Sequence, residues 1–301
     1  MSAPSSPQGQ RRGPASMAEL LVAEINVSAG PVHILDIIQN KSIDLGWFTS
    51  RDDAREFAER HKRSVTQRLR EELDELNRVG RFCPFAFNSS SDDHIQGSAF
   101  IEPKDLQDAR GAKERMAHFS SYESCLQKLT ARDFEAMCSG ILSLMGVQDP
   151  KLTKATGDQG IDFYGKLQVG NRLVPATSFP GVEVQMEIWM IGQAKHYIEG
   201  QVSTPDIREL VGSVELARGR AFSTSNAPYP DLIIRVCDPV FFLFFTTGRI
   251  SAQGWKLLTN SGVVGMDGGM VAALLAKSDV GVANGTFDAN LLSDWVRTFL
   301  K

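Results

Sequence analysis

Two short stretches of the sequence contain the residue types that hydrolytic chemistry needs. ATGDQGIDFYG covers residues 155–165 and ends near Asp162, and WMIGQAKHY covers residues 189–197 and contains Gln193 and Lys195. Residues two apart in a β-strand share one face, so Gln193 and Lys195 would project to the same side. If the two stretches meet, they combine a carboxylate, an amide oxygen and an amine.

Such a combination suits a hard divalent cation acting on a phosphate ester. Mg²⁺ prefers oxygen ligands, commonly one or two carboxylates with water and substrate phosphate. Asp162 would supply the carboxylate, Gln193 its side-chain carbonyl and Ala194 its backbone carbonyl. Lys195 would orient the attacking water and stabilise charge on the phosphoryl oxygens. We therefore expect Mg²⁺ as the cofactor, with Mn²⁺ as a substitute.

The elements around these residues predict how they are positioned. GIDFYGKLQVG and VEVQMEIWMIGQAKHY are typical of strands, and a separation of 193 − 162 = 31 residues allows a hairpin with an extended loop. A helix capped by Thr130 precedes them. A helix from about Ser203 or Thr204, an apolar strand VFFLFFTTGR expected to be fully buried, a helix, a short strand VVGM and a further helix follow. This order predicts an α/β sandwich around a mixed central sheet.

Taken together, these residues resemble the PD-(D/E)xK nuclease superfamily, and specifically its Mrr-like restriction endonuclease branch. That branch uses a GxxGxD-type turn and a QxK motif, which TGDQGIDFYG and GQAKHY match here, and the likeness extends over about residues 130 to 280. The resemblance implies a restriction-endonuclease-like fold. It also implies Mg²⁺-dependent hydrolysis of DNA phosphodiesters by an activated water, leaving a 5′-phosphate, most plausibly in defence against foreign DNA with repair as the nearest competitor.

The resemblance also implies roles for individual residues. Asp162 would be a metal ligand, Gln193 would stand at the second acidic position, and Lys195 would be the catalytic lysine. Glu135 on the opening helix would be a supplementary catalytic and metal-ligating carboxylate, because a neutral Gln193 leaves the site short of negative charge. Asp158 would shape the turn that presents Asp162.

Contacts with nucleic acid must come from local features, because the formal charge of the 301 residues is −4. We expect Lys154, His196 and Arg208 to contact DNA, although His196 would face the opposite side of the strand from Lys195. Other members of a local basic rim would be Lys151, Lys166, Arg218 and Arg220. Scattered surface charge is an equally weighted alternative for this set.

Composition limits the compartment and excludes several classes of protein. The four cysteines lie far apart without a CxxC pair, which argues against a zinc site or a disulfide framework and favours the cytoplasm. The longest apolar run, PVFFLFFTT, is much shorter than the roughly 20 residues that span a bilayer, so no membrane segment is expected.

Three regions are expected along the chain: a disordered tail over residues 1–17, an N-terminal α+β recognition or regulatory region over 18–120, and the Mrr-like nuclease domain over 121–301. AELLVAEINV and VHILDII suggest strands. A long helix capped by Ser50 and ended by Gly80 has a densely charged face, for which a solvated surface is favoured over a nucleic-acid-binding arm.

Each motif also has a purely structural interpretation. An Asp-rich turn can satisfy its own backbone, and a lysine on an edge strand is common. The alternative function is a catalytically silent module that binds nucleic acid or an effector. A double-strand cut would need two active sites, hence a homodimer or a higher assembly, and the N-terminal region could bind a regulatory partner.

Overall fold

The computed structural model describes residues 12–153, 160–169, 186–197, 201–202, 204–218, 229 and 231–300. The chain divides between Ser120 and Ser121 into two compact units. No helix among the residues described has the length and apolar character that crossing a membrane requires.

The first unit combines helices with a small antiparallel sheet. Its elements are α1 (Pro14–Glu24), β1 (Val32–His33), α2 (Ile34–Asp44), α3 (Arg51–Arg78), β2 (Phe85–Asn88), β3 (Ser91–Gly97) and α4 (Gln107–Met116). The strands lie in the order β1-β3-β2, and each neighbouring pair is antiparallel. Buried residues of α1, α2 and α3 pack with Phe85 and Ile95 of the sheet in one apolar core.

Two sequence predictions for this unit are wrong. The stretches predicted as strands form α1 and α2, except Val32–His33, which is strand β1. The buried residues of both helices recur every three or four positions, as Met17 with Leu21 and Ile34 with Ile38 do. Residues 14–17, predicted as part of a disordered tail, are helical: Pro14 stands in the first turn of α1, where its fixed φ is favourable, and Met17 is fully buried.

The second unit, together with the helix that leads into it, contains the remaining elements. They are α5 (Phe119–Leu126), α6 (Ala131–Leu144), β4 (Lys151–Leu152), β5 (Phe163–Gln168), β6 (Glu187–Lys195), β7 (Gln201–Val202), α7 (Thr204–Arg218), β8 (Val240–Thr246), β9 (Arg249–Ile250), α8 (Ala252–Ser261), β10 (Val264–Met266), α9 (Gly268–Lys277), β11 (Val282–Ala283), β12 (Thr286–Phe287) and α10 (Ala289–Arg297). The main sheet has the order β10-β8-β6-β5-β4. β4, β5 and β6 are antiparallel neighbours, whereas β6, β8 and β10 run parallel. The predicted mixed sheet is confirmed.

Helices cover both faces of this sheet. On one face, Ile191 and Phe244 share an apolar core with Ile207 and Leu210 of α7 and with residues of α8. Because side chains alternate along a strand, His196 lies on the other face, where its ring is 6.2 Å from that of Phe134 in α6. The predicted α/β sandwich is thus confirmed.

β8 is only partly buried, although its unbroken apolar run predicts a fully buried strand. Leu243 to Thr246 are buried, but Phe241 is 47% exposed. The short strand β10 pairs with Leu243, Phe244 and Phe245, so the first half of β8 has no neighbouring strand on that side among the residues that the structure describes.

Candidate active site

Asp162 lies beside Gly192 and Ala194 at the end of the β5–β6 pair. Phe163 is the register partner of Gly192, and the N–H of Asp162 donates to the same Gly192 carbonyl over 3.0 Å. The predicted pairing of these two strands is confirmed. The regular register ends at Phe163, because Phe163 and Asp162 both meet Gly192.

Beyond Gly192, the next hydrogen bond between these strands is accepted by the side chain of Asp162. Its Oδ2 accepts a hydrogen bond from the Ala194 N–H over 2.7 Å, and the side chain is buried. The backbone is fixed as well, because the N–H and hydroxyl of Thr153 both donate to the Asp162 carbonyl, over 2.9 and 3.0 Å. Since the N–H and C=O of a strand residue point to the same edge, the Ala194 carbonyl also points to the edge where Asp162 lies.

The side chain of Gln193 contains a buried oxygen. The residue is 2% exposed, and its Oε1 has no hydrogen-bond partner among the residues that the structure describes. A buried polar atom without a partner costs about 1–3 kcal/mol, so a buried atom of this kind calls for an explanation such as a bound water or ion. The Gln193 oxygen that we predicted to bind a metal ion is therefore buried, and it has no hydrogen-bond partner among the described residues.

The glycine that precedes Asp162 by two residues has little room. Gly160 adopts φ +85°, and a Cβ at this position would lie 2.4 Å from Oγ of Ser213 on α7 and 3.7 Å from Nε2 of Gln193. Only glycine combines this backbone conformation with this close approach. The second glycine of the GxxGxD turn therefore lets the turn lie close to both α7 and the Gln193 side chain.

Lys195 lies on the same face as Gln193, as the alternation predicts. Its Nζ is 3.5 Å from Oε2 of Glu209, and its side chain is 27% exposed. Glu209 and Ser213 are four residues apart, which places them on one face of α7 above the strand. The sequence prediction missed both residues. Their only sequence signal is that they flank the buried Leu210 in a helix that follows QxK.

Glu135 is held by a neighbour within its own helix. Its Oε2 accepts a hydrogen bond from Nη1 of Arg132 over 2.8 Å, and its side chain is 20% exposed. Burial raises the pKa of the fully buried Cys138 thiol well above its usual range, and the charges of Asp162 and Glu135 add to this increase. Both carboxylates therefore act on the same buried thiol, which lies one turn from Glu135.

The donor set consists of oxygen atoms of different kinds. No three His, Cys, Asp or Glu side chains converge as a metal site within the described ranges. The predicted set has a different composition: a carboxylate (Asp162), an amide oxygen (Gln193) and a backbone carbonyl (Ala194). Oxygen ligands of these three kinds fit Mg²⁺ or another hard divalent cation, and the unpartnered Gln193 Oε1 is the atom that such an ion would complete.

The residues predicted to contact DNA have different positions. Lys154, like the turn residue Asp158, lies outside the described residues. Arg208 is exposed on α7. His196 is half-buried, and its Nδ1 lies 2.9 Å from the hydroxyl of Thr247. Burial lowers the pKa of the His196 imidazole. Its role as a DNA contact stays a prediction.

The other proposed members of the basic rim are paired or undescribed. Lys151 forms an ion pair with Asp149 over 2.5 Å, and Lys166 forms one with Glu187 over 2.9 Å. The side chain of Arg218 and all of Arg220 lie outside the described residues. Of the six lysine and arginine residues proposed for the basic rim, the structure describes the side chains of Arg208, Lys151 and Lys166.

Comparisons with known proteins identify the domain that contains this site. A family model of the Mrr catalytic domain, described as a restriction endonuclease, matches residues 126–226. No curated protein matches the chain.

Two solved structures are also similar. The MspJI restriction endonuclease in complex with a 27-mer oligonucleotide has 19% identity and a TM-score of 0.40, over 68% of this chain and 41% of that one. The DNA modification-dependent restriction endonuclease AspBHI has 16% identity and a TM-score of 0.39, over 70% and 46%. The chain thus spans less than half the length of either. The match to the Mrr catalytic domain covers residues 126–226, a range that contains Asp162, Gln193 and Lys195.

Proposed function

We propose that the second unit is a divalent-metal-dependent DNA endonuclease whose reactive centre lies between the end of β5, the end of β6 and helix α7. One observation carries this proposal: the Asp162 carboxylate accepts a hydrogen bond from Ala194, the neighbour of Gln193, whose buried Oε1 has no partner among the described residues, with Lys195 two positions along the same strand. The Mrr-like match over residues 126–226 supports the same reaction class.

Oxygens of Asp162, Gln193 and Ala194 would hold the ion, which we propose to be Mg²⁺ with Mn²⁺ as a substitute. When bound, such an ion polarises a phosphoryl oxygen and offsets the negative charge of the transition state. The protein's contribution is to fix the ligands in advance. Asp162 is anchored through Ala194 and Thr153, so little reorganisation remains when the ion binds.

Lys195 would act on the phosphate and on the attacking water. Its ammonium group has three donors, which can bind a non-bridging phosphate oxygen and orient the water at the same time. In the free protein the ammonium is held by Glu209 at 3.5 Å. Because this ion pair joins partly exposed side chains, it is worth at most about 1 kcal/mol, so an incoming phosphate can displace Glu209 at low cost.

Glu135 would add the charge that Gln193 does not provide. Its carboxylate acts on the same thiol as that of Asp162, but it is engaged by Arg132. We propose that Glu135 supports the site through a water ligand of the ion, with Arg132 limiting its motion. Glu209 is a second carboxylate available to the site from the opposite helix.

The biological setting that fits this chemistry is restriction of foreign DNA in the cytoplasm, with the first unit as a recognition or regulatory region. A double-strand cut would require two copies of the site, so we propose that the active form is a homodimer or a larger assembly. Methylated and unmethylated substrates are both to be tested, because the site itself selects for phosphate and not for a base.

The experiment is incubation of the full chain with plasmid, linear and methylated DNA in Mg²⁺, in Mn²⁺ and in EDTA. We expect nicking or linearisation with either ion and none with EDTA. Intact DNA under all metal conditions, including methylated substrate, would overturn the nuclease assignment for this chain.

The second candidate function is a catalytically silent module that binds nucleic acid. It is favoured by the neutral Gln193 at the second acidic position and by the pairing of Glu135 with Arg132, since both reduce the negative charge offered to a cation. Calorimetric titration separates the two functions. Binding of Mg²⁺ or Mn²⁺ at millimolar concentration or below supports the nuclease, whereas DNA binding without metal binding supports the silent module.

A further inference from the structure

The middle of helix α3 in the first unit is strongly basic. Residues 60–70, RHKRSVTQRLR, contain five Lys or Arg residues and no Asp or Glu. All eight acidic residues of α3 lie in the flanking segments 51–59 and 71–78. A solvated helix face that is stabilised by pairs four residues apart mixes the two signs along its length, and this helix instead separates them.

The ion pairs of α3 also differ between its flanks and its middle. In the flanks, arginines pair within the helix, as Arg55 does with Glu59 over 3.0 Å and Arg78 with Glu75 over 2.7 Å. In the middle, Arg60 pairs with Glu56 of the neighbouring flank over 2.5 Å, whereas Arg63 and Arg68 have no ion pair among the residues described. Arg63 is exposed. The middle of α3 therefore presents positive charge that its own helix does not neutralise.

An open cleft of about 360 Å³ lies along this part of the helix, where α3 passes the start of strand β3. The residues that line it are Lys62, Arg63, Thr66, Gln67, Arg70 and Asp93. Those from α3 repeat at intervals of three and four, so they form one row on one face. At about 1.5 Å per residue, Lys62 and Arg70 are about 12 Å apart along the helix axis.

Two members of the row are held in place by the sheet. The guanidinium of Arg70 lies 4.4 Å from the centre of the Phe87 ring and 3.2 Å from Asp92, and the ammonium of Lys62 lies 2.7 Å from Asp93. The Asp residues are more than half exposed, and exposed ion pairs of this kind are weak. They orient the cations in the free protein and can be replaced by phosphate, which arginine binds through two parallel hydrogen bonds.

We propose that this α3 cleft binds the sugar-phosphate backbone of DNA. The proposal rests on the proposed function only for the choice of DNA as the polyanion. A strand of DNA carries one phosphate per about 3.4 Å of helix axis, so a row of about 12 Å is long enough for its cations to meet more than one phosphate. Thr66 and Gln67 add neutral donors between the cations, which suits phosphate and sugar oxygens and carries no sequence information. Because the whole chain carries a charge of −4, DNA needs such a local basic surface.

The test is fluorescence anisotropy of a short labelled duplex with the full chain in EDTA, titrated at salt concentrations between about 50 and 200 mM. The variant of the cleft is Lys62→Gln, Arg63→Gln and Arg70→Gln combined. The matched control, Arg51→Gln, Arg55→Gln and Arg78→Gln, removes the same charge from the flanks of the same helix. Thermal melting of both variants checks that they fold.

We expect the cleft variant to bind at least about 10-fold more weakly at low salt and to lower the slope of log affinity against log salt by two to three, at about 0.9 per phosphate contact. Arg63→Gln alone should lower the slope by about one and leave the melting temperature unchanged, because Arg63 is exposed. Equal effects of the cleft and control variants would overturn the proposal. So would displacement of DNA by polyglutamate of equal charge, since this would indicate an acidic protein as the partner.

The binding assay and the cleavage assay distinguish a failure of this proposal from a failure of the proposed function. The binding assay contains no metal ion and requires no cleavage, so a wild-type chain that binds through α3 without cutting DNA refutes the nuclease and retains the cleft. A wild-type chain that cuts DNA, together with a cleft variant that binds as well as the control, refutes the cleft and retains the nuclease.

Discussion

The backbone N–H of Ala194 donates a hydrogen bond to the Asp162 carboxylate over 2.7 Å, at the point where the β5–β6 ladder ends. Asp162 therefore has two roles, and a single substitution can remove both of them at once. It satisfies a backbone donor of the central strand, and it is the carboxylate that we propose to hold the metal ion. Substitutions that separate hydrogen bonding from charge can separate these roles.

Asp162→Asn keeps an acceptor for the Ala194 N–H and removes the charge, whereas Asp162→Ala removes both. We expect Asp162→Asn to change the free energy of unfolding by less than about 1 kcal/mol and Asp162→Ala to lower it by about 1–3 kcal/mol, because a buried donor loses its partner. Both should reduce cleavage by about 100-fold or more. Urea unfolding and single-turnover cleavage measure the two effects. Equal stabilities of the two variants would show that the hydrogen bond contributes little.

Gln193→Glu tests whether the buried Oε1 faces a cation. Without metal, burial raises the pKa of the introduced carboxyl group and lowers the melting temperature. With Mg²⁺ the carboxylate gains a partner, and a ligand at 100 times its Kd stabilises the fold by about 2.7 kcal/mol. We expect a larger rise in melting temperature with Mg²⁺ for this variant than for the wild type.

The matched control for that substitution is Gln168→Glu, which makes the same chemical change at an exposed position on the neighbouring strand β5. It should melt slightly below the wild type in EDTA, because it faces Glu187 across the β5–β6 pair, and it should show a smaller response to Mg²⁺ than Gln193→Glu. A response to Mg²⁺ that is the same for both variants would place the ion away from Gln193.

Gly160→Ala measures how closely α7 packs against the motif turn. A positive φ costs an alanine about 1 kcal/mol, and a Cβ that would lie 2.4 Å from Ser213 Oγ adds about 1–3 kcal/mol. Gly262→Ala provides the control, because Gly262 has φ +68° and open space around its Cβ position. Unfolding by urea should give a larger loss for Gly160→Ala. Equal losses would mean that the turn and α7 yield without strain.

His196 predicts a pH dependence of stability. Burial lowers the pKa of its imidazole below the ordinary value of 6.5, so the unfolded chain binds a proton more readily than the folded one. The stabilisation is therefore complete above about pH 6.5 and is lost as the pH falls through the folded pKa. The melting temperature should fall less between about pH 7.5 and pH 5 in His196→Gln than in the wild type. An unchanged pH profile in this variant would contradict the proposed effect of burial.

The site was predictable as far as it depends on strand periodicity. The alternation in WMIGQAK defines which residues of β6 share a face, and the observed pairing of β5 with β6 brings Asp162 beside Ala194, as we expected. Glu209 and Ser213 could not be predicted, because their position depends on how α7 is rotated when Ile207 and Leu210 are buried on the sheet. That rotation is a tertiary property that no local pattern specifies.

The same distinction holds for the fold. Helices α6 to α9 and strands β5, β6, β8 and β10 of the second unit follow from caps and periodicity, for example the capping box formed by Thr130 and Asp133. The two-residue strands β4, β7 and β9 were not predicted, because so short a run carries no periodicity. α1 and α2 were missed because short apolar runs are compatible with either a strand or a helix. The packing of Trp295 in α10 against Gly140 joins residues distant in sequence, and no local signal predicts it.

The most direct test of the central claim is plasmid cleavage by the wild type, Asp162→Asn and Lys195→Ala under identical conditions in Mg²⁺ and in EDTA. Lys195→Ala removes only a partly exposed ion pair with Glu209, so its free energy of unfolding should stay within about 1 kcal/mol of the wild type. We predict cleavage by the wild type in Mg²⁺ alone, and a loss of about 100-fold or more in both folded variants. Undiminished metal-dependent cleavage by both variants would contradict an active site built from Asp162 and Lys195.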